Sequence, residues 1–220
     1  YVNVPTTLLG AVDAAVGGKT GINFGGLKNE IGVINSSKSV VINADFFRTL
    51  DAENLRSGYA EMIKHGLISN TEIWKHILSF DLDNVDYNRL SELLLESISV
   101  KEKVVEIDPT EKGLRKVLNF GHTVGHAFES YAMEMGKPVL HGYAVAWGMI
   151  SELYLSYKLL GFPKETLSTA VRMIKENYGA LLIKCDIYDH LYDLMTHDKK
   201  NEGDGRILFS LLKNIGEIEI

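Results

Sequence analysis

Apolar residues recur at two different spacings along this chain, and the change falls near residue 50. Residues 1–4 and 39–43 are short runs rich in β-branched side chains, and glycine-rich stretches separate them, which is typical of strands and loops. After Asp51, whose side chain can cap a helix, apolar positions recur every three or four residues. The pattern predicts an α/β unit over residues 1–50 and a mainly helical unit over residues 51–220.

The second unit is predicted to be a series of helices joined by short turns. Beyond the helix that follows Asp51, the apolar spacing predicts helices over residues 71–79, 88–107, 113–134, 140–160, 164–178 and 187–198. Residues 206–220 carry two β-rich runs around an Asn-Ile-Gly turn, which is typical of a hairpin. Because ligands commonly bind between two such units, we expect a binding cleft near their junction.

Composition narrows the classes of function. The formal net charge is -6, so the surface as a whole repels nucleic acid and anionic membranes, and an anionic ligand needs a local basic pocket. No run approaches the roughly 18 consecutive apolar residues of a membrane span. Cys185 is the single cysteine, which excludes an internal disulfide and is typical of a reducing compartment. We predict a cytoplasmic protein that binds neither nucleic acid nor membrane.

A polar stripe within the predicted helix over residues 113–134 is the first candidate site. Arg115, Asn119, His122 and His126 stand at offsets 0, 4, 7 and 11, which places them on one helical face. The two histidines, one turn apart, could bind one metal ion.

Two further residues extend this possible metal site. His141 stands where the next helix should begin, and Glu61 lies in the helix after Asp51. Two histidines and one carboxylate leave an open position on zinc, as catalytic sites do. The spacing alone does not choose which two histidines take part.

Basic residues outside the stripe are ambiguous from the sequence alone. The glycine-rich segment over residues 16–21 carries Lys19 and precedes Lys28, and such a loop can bind an anion. It is not a P-loop, because Asp13 occupies the position of the first glycine, and the chain has no Gly-x-Gly-x-x-Gly. Lys64 lies one turn after Glu61, so the two side chains could form an ordinary i, i+3 ion pair. Lys101, among other charged residues, is predicted to lie on a solvated face.

Six long segments of this chain resemble the 3-dehydroquinate synthase family, and the match runs from residue 4 to about residue 216. They are Val-Pro-Thr-Thr-Leu-Leu (4–9), Val-Asp-Ala-Ala-Val-Gly-Gly-Lys-Thr-Gly (12–21), Lys-Asn-Glu-Ile-Gly (28–32), Ala-Glu-Met-Ile-Lys-His-Gly (60–66), Gly-Leu-Arg-Lys-Val-Leu-Asn-Phe-Gly-His-Thr-Val-Gly-His-Ala-Phe-Glu (113–129) and Leu-His-Gly (140–142).

The resemblance implies a fold and an activity. Residues 1–50 would be the last part of a Rossmann-like NAD-binding α/β domain, and residues 51–220 a helical domain that binds metal and substrate. The implied enzyme is a homodimer that uses NAD and zinc, or cobalt, to convert a small anionic sugar phosphate, 3-deoxy-D-arabino-heptulosonate 7-phosphate, into 3-dehydroquinate and phosphate. The chain begins with Tyr1 inside a predicted strand. We therefore expect an upstream NAD-binding portion to be missing, and little turnover without it.

The resemblance also implies roles for individual residues. Glu61, His122 and His141 would hold the metal. The residues implied around the substrate are Asp13, Lys19, Lys64, Lys101, Glu111, Arg115, Asn119, His126 and one or both of Lys199 and Lys200. The residues implied at NAD are Thr6, Thr7, Lys19, Lys28, Phe46, Phe47, Arg48 and Thr49.

Three alternatives remain at this point. A sister sugar phosphate cyclase, of the valiolone or inosose type, would share most of these motifs, although Lys101, Asn119 and the turn at 198–200 agree better with dehydroquinate synthase. A metal-dependent polyol dehydrogenase would oxidise glycerol-like alcohols and release no phosphate. An inert helical scaffold would bind no zinc and would tolerate the loss of Glu61.

Overall fold

The computed structural model of the chain describes residues 1–24, 27–196 and 206–220. The first unit contains the strands β1 (Val2–Asn3), β2 (Lys19–Phe24), β3 (Leu27–Ile34) and β4 (Ser39–Val40). β1 pairs with β4 in parallel, and β2 pairs with β3 as an antiparallel hairpin in which Ile22 stands opposite Ile31. A π-helical turn, Gly10–Ala14, and a 3₁₀ turn, Ala44–Thr49, complete this unit. The predicted order, a small α/β unit before a mainly helical one, is confirmed.

The helices of the second unit follow in chain order. They are α1 (Ala52–Ser69), α2 (Thr71–Leu78), α3 (Tyr87–Ile107), α4 (His122–Glu134), α5 (His141–Leu160), α6 (Lys164–Tyr178) and α7 (Tyr188–Thr196). The predicted cap of α1 is confirmed, because the Asp51 carboxylate accepts a hydrogen bond of 2.7 Å from the Asn54 amide. The predicted terminal hairpin is confirmed as β5 (Leu211–Asn214) and β6 (Glu217–Glu219), which pair antiparallel. In the described part of the chain, no helix is long and apolar enough to cross a membrane.

Helix α1 lies at the centre of the fold and is buried on almost every side. It packs against α2, α3 and α5, and its residues from Tyr59 to Ile68 are all buried. Tyr59 is fully enclosed and donates a hydrogen bond of 2.8 Å to the Ile77 carbonyl. Glu61, Lys64 and His65 are enclosed in the same stretch, although isolated charges are costly to bury. Polar groups on a central buried helix point to a role in function.

The predicted single helix over residues 113–134 is wrong, because the chain turns sharply within it. Residues Leu114–Asn119 form a 3₁₀ turn, and α4 begins at His122. Between them Gly121 has φ 80°, a left-handed conformation that other residues adopt at a cost. A Cβ there would stand 2.4 Å from Met149 Cγ of α5, so the turn packs tightly. The four-residue stripe is therefore divided between two elements.

A glutamate from the neighbouring helix supports the start of α4. Glu152 of α5 is fully buried and accepts hydrogen bonds from the amides of Gly121, at 2.6 Å, and Val124, at 3.2 Å. A carboxylate suits this place because the first amides of a helix lack partners within it. Ser156, one turn later, accepts a bond of 2.9 Å from the Leu212 amide, which ties the terminal hairpin to α5. The two bonds to Glu152 fix where α4 begins.

Candidate active site

Three side chains from three helices converge in the second unit. Glu61 comes from the middle of α1, and His122 and His141 are the first residues of α4 and α5. Glu61 Oε1 lies 3.3 Å from His122 Nε2 and 3.7 Å from His141 Nε2. Each residue offers a ligand atom, and these atoms lie within 4.8 Å of one another. The geometry matches a site with two histidines and one carboxylate.

The hydrogen bonds around this cluster fit a divalent metal ion. Glu61 Oε1 is buried and, among the described residues, has no hydrogen-bond partner. The Nδ1 atom of His122 donates to the Phe120 carbonyl at 3.1 Å, and the Nδ1 atom of His141 donates to Glu129 Oε2 at 3.2 Å. Both rings therefore turn Nε2 toward Glu61. The orphaned oxygen and two converging nitrogens form a donor set that a metal would complete.

The charges of the cluster are strongly coupled. Burial by itself would raise the pKa of Glu61, but the adjacent Lys64 and His122 outweigh it and hold the pKa well below its usual range. Burial would lower the pKa of His141, but the carboxylates of Glu129 and Glu61 outweigh it and raise the pKa to about 9. Glu61 is therefore ionised at neutral pH, and metal binding has to displace a proton from His141.

His126 lies one turn beyond His122 but outside this set of three. Its ring centre stands 5.4 Å from that of His122 and 6.0 Å from that of His141. The pair of His122 and His126 is therefore not the closest set of possible metal ligands, because Glu61 and His141 approach His122 from other helices. His126 is half-buried and borders the same space.

Two lysines whose burial the local pattern did not indicate are buried at the site. Lys64 contacts the Glu61 carboxylate, as predicted, but its side chain is only 2% exposed. Lys101 of α3 is also buried and donates to Asp13 Oδ1 at 2.5 Å, so its predicted solvated face is wrong. The reason is that α3 packs against the π-helical turn that carries Asp13. Burial by itself would raise the pKa of Asp13, but the charge of Lys101 outweighs burial, and the pKa lies below its usual value.

Three of the remaining residues predicted around the substrate, Lys19, Glu111 and Asn119, form a connected polar group. Glu111 contacts the Lys19 ammonium with one oxygen and accepts from Asn119 Nδ2 at 3.2 Å with the other. The buried Arg115 guanidinium donates to the carbonyls of Pro109, at 2.8 Å, and Gly17, at 3.0 Å. Lys19 begins β2, so the anion-binding loop predicted over residues 16–21 is partly a strand. Lys199 and Lys200 lie outside the described residues.

Most of the residues predicted at NAD lie after the carboxyl ends of the two parallel strands. The exposed Thr6 and Thr7 follow β1, and the 3₁₀ turn that contains Phe46 and Thr49 follows β4. Ligands of parallel sheets bind at this edge. Arg48, on the same turn, lies 4.6 Å from the centre of the Tyr87 ring. Lys28 is on β3, and its side chain lies outside the described part.

One predicted NAD contact needs correction. Phe47 is completely buried in the hydrophobic core, with no exposed surface. Its side chain therefore cannot touch a bound dinucleotide, and any contact from this position has to come from the backbone. Its neighbour Phe46 is 42% exposed and keeps its side chain at the surface.

Sequence reasoning missed two buried glutamates beside the candidate metal site. Glu129 accepts from His141, and Glu152 supports the start of α4 just before His122. The available signal was a carboxylate within an apolar helical stretch, which requires a buried partner. Neither partner could be identified without the packing of α4 on α5.

Comparisons with known proteins decide the family. Residues 58–201 match the model described as 3-dehydroquinate synthase C-terminal, and residues 1–57 match the one described as 3-dehydroquinate synthase N-terminal. The chain belongs to the 3-dehydroquinate synthase family. The chain is 59% identical to the 3-dehydroquinate synthase of Parabacteroides distasonis, over 100% of its own residues and 62% of that protein. It is 40% identical to that of Bacillus pumilus, over 99% of its residues and 59% of that protein. It thus spans about 60% of the length of these relatives.

Solved structures of sugar phosphate cyclases share the fold of this chain. A 2-epi-5-epi-valiolone synthase from Streptomyces hygroscopicus, with NAD⁺ and Zn²⁺ bound, matches with a TM-score of 0.84 and 26% identity, over 100% of this chain and 61% of that one. A 2-deoxy-scyllo-inosose synthase, complexed with carbaglucose-6-phosphate, NAD⁺ and Co²⁺, matches with a TM-score of 0.82 and 23% identity. The match covers 100% of this chain and 60% of that one. The second likeness shows the fold alone.

Proposed function

We propose that this chain supplies the metal- and substrate-binding part of a 3-dehydroquinate synthase. The reaction converts 3-deoxy-D-arabino-heptulosonate 7-phosphate into 3-dehydroquinate and phosphate with NAD and a divalent metal, in the shikimate route to aromatic amino acids. The observation that carries the proposal is the convergence of Glu61, His122 and His141 beside buried lysines in a chain of this family.

Glu61, His122 and His141 would hold the metal, which when bound supplies Lewis acidity toward substrate hydroxyl groups. The chain prepares for it by keeping Glu61 ionised and by turning both Nε2 atoms inward. Nitrogen and carboxylate donors of this kind accept zinc and also cobalt. The solved 2-epi-5-epi-valiolone synthase, which has Zn²⁺ bound, supports this choice.

Buried cationic groups of the chain would bind the carboxylate and phosphate of the substrate. Lys64 is held beside Glu61, and Lys101 is held by Asp13, so both ammonium groups have fixed places before substrate arrives. The carbonyls that accept from Arg115 fix the plane of its guanidinium in the same way. Charged donors in fixed positions bind anionic oxygens strongly. His126 borders the metal cluster and would hold or accept a proton at a substrate oxygen.

NAD, which accepts and returns a hydride when bound, would lie against the carboxyl ends of β1 and β4. A cavity of about 210 Å³ lies there, lined by Asn3, Val4, Pro5, Gly10, Ala14 and Ala15. Ligand pockets usually have volumes of about 300–1,000 Å³, so this cavity is small for a dinucleotide. We therefore expect residues from outside this chain to complete the NAD site, little turnover by the chain alone, and a homodimer as in the family.

A sister cyclase activity of the valiolone or inosose type is the second candidate. The close structural match to a 2-epi-5-epi-valiolone synthase favours it. The metal cluster does not separate the two activities, because both would use a metal and NAD. The 59% identity to a 3-dehydroquinate synthase over the whole chain favours the first proposal.

The test joins this chain to the amino-terminal remainder of the Parabacteroides distasonis relative. The hybrid is incubated with the heptulosonate phosphate, NAD and zinc, and phosphate and 3-dehydroquinate are measured separately. We expect both products, and we expect both to disappear in Glu61→Ala but not in the exposed, remote control Glu134→Ala. Phosphate without 3-dehydroquinate would favour the sister cyclase, and neither product would favour an inert scaffold.

A further inference from the structure

The two metal-ligand histidines differ in what supports them. His122 donates from Nδ1 to the Phe120 carbonyl, two residues away in the chain. His141 donates from Nδ1 to the carboxylate of Glu129, which belongs to a different helix. The Glu129 side chain is only 11% exposed, so this carboxylate has been taken out of water to reach its place. A buried carboxylate is costly and calls for a reason.

We propose that Glu129 is a positioning residue for the metal centre: it holds the Nδ1 proton of His141 so that Nε2 is presented to the metal. This inference rests on the proposed metal site and extends it beyond the ligands themselves. A neutral imidazole carries one N–H, and the partner of that N–H decides which nitrogen is left to bind metal. A carboxylate partner also makes the ligating nitrogen a stronger donor.

The placement of the two residues explains why His141 needs such support. His141 is the first residue of α5, where fewer side chains of its own helix surround it, and its side chain is 26% exposed. Glu129 lies seven residues after His122 on α4, which is two turns along the same face. One carboxylate from the helix that begins with His122 therefore orients the ligand that begins α5. The contact fixes the two histidines relative to each other.

The chain offers a matched control for this contact. Glu134, also on α4, accepts from His190 Nε2 at 2.6 Å, in a second glutamate–histidine pair. Both members of that pair are about half exposed, and neither belongs to the metal cluster. Removal of Glu134 therefore reports the loss of a similar contact on the same helix without an effect on the metal.

The experiment measures zinc affinity of the full chain by competition with a chromogenic chelator, at a temperature where every variant is folded. We expect Glu129→Ala to weaken zinc binding by about 10- to 100-fold. Glu129→Gln, whose amide oxygen still accepts from Nδ1, should recover most of the affinity. Glu134→Ala should bind zinc as the unchanged chain does. Zinc affinity of Glu129→Ala equal to that of Glu134→Ala would overturn the inference.

A second readout separates orientation from simple loss of stability. ¹⁵N NMR of the histidine rings reports which nitrogen of His141 carries the proton in the zinc-bound chain. We expect the Nδ1–H form in the unchanged chain and in Glu129→Gln, and a mixture or exchange broadening in Glu129→Ala. A lower melting temperature with the same ring protonation and the same zinc affinity would show a merely structural role. If the unchanged chain binds no zinc, the proposed metal site itself fails, and this inference with it.

Discussion

The contact between Gly142 and α1 provides a demanding test of the proposed metal site. Gly142 follows His141 at the start of α5, and its amide donates to Ser57 Oγ at 3.1 Å. Ser57 stands one turn before Glu61 on α1. A Cβ on residue 142 would lie 1.9 Å from the Ser57 carbonyl oxygen and 2.5 Å from its carbonyl carbon. Gly142→Ala therefore forces apart the two helices that carry Glu61 and His141.

The size of the displacement follows from ordinary contact distances. Relief of the overlap requires α5 to retreat by about 1.5 Å, since non-bonded heavy atoms pack at roughly 3.5 Å. Metal–ligand distances tolerate only about 0.2 Å, so the three donors can no longer meet one ion without further rearrangement. We expect zinc affinity to fall by at least about 10-fold. Overpacking of this kind also costs about 1–3 kcal/mol of stability, or roughly 2–12 °C in melting temperature for a chain of this length.

Zinc titration and thermal unfolding of Gly142→Ala test both expectations, and Gly161→Ala is the control. Gly161 ends α5 with φ 77° and has nothing near its missing Cβ, so alanine there costs about 1–2 kcal/mol of backbone strain far from the metal. The control should lose a similar amount of stability and keep its zinc affinity. Unchanged zinc affinity and melting temperature in Gly142→Ala would refute this reasoning.

Two further predictions concern buried groups beside the proposed metal site. Glu152→Ala leaves the amides of Gly121 and Val124 buried without their acceptor, and each such loss costs about 1–3 kcal/mol. Urea unfolding should therefore show a free energy of unfolding lower by about 2–6 kcal/mol, and a loss below about 1 kcal/mol would contradict the capping role. Burial and the Lys64 charge lower the pKa of His65 to about 3, against about 6.5 in an unfolded chain. The unfolded chain then binds a proton that the folded chain excludes, so stability is full above pH 6.5 and falls toward pH 3 by up to about 1.4 kcal/mol per pH unit. Denaturant unfolding of His65→Gln over this range should show a shallower slope, and equal slopes would exclude a neutral buried His65.

The helices and their caps could be predicted because local spacing determines them, but the break before α4 could not be placed. Apolar periodicity continued across residues 113–134, and the glycine at 121 was one of several in the chain. What stops the helix there is tertiary packing, since Gly121 adopts a left-handed conformation against Met149. The local pattern also placed Lys101 in water, because its partner Asp13 lies 88 residues away.

At the candidate metal site, too, some features could be predicted from the sequence and others only from the structure. The sequence alone identified the residue types, and the family resemblance selected Glu61, His122 and His141 from the possible sets. Spacing along one helix favoured the pair His122 and His126, because it carries no information about α1 or about the start of α5. The support from Glu129 depends on how α4 packs on α5, so it could be found only from the structure.

The central claim is that Glu61, His122 and His141 hold one metal ion. Its most direct test is the metal stoichiometry of the chain and of four single variants, measured by zinc analysis and by the absorption spectrum of bound Co²⁺. We expect one tightly bound ion per chain, its removal by a chelator, and strongly weakened binding in Glu61→Ala, His122→Ala and His141→Ala. His126→Ala should retain the ion. Binding that survives the loss of Glu61 and of His141 but disappears with His126 would contradict the account and restore the simple i, i+4 pair.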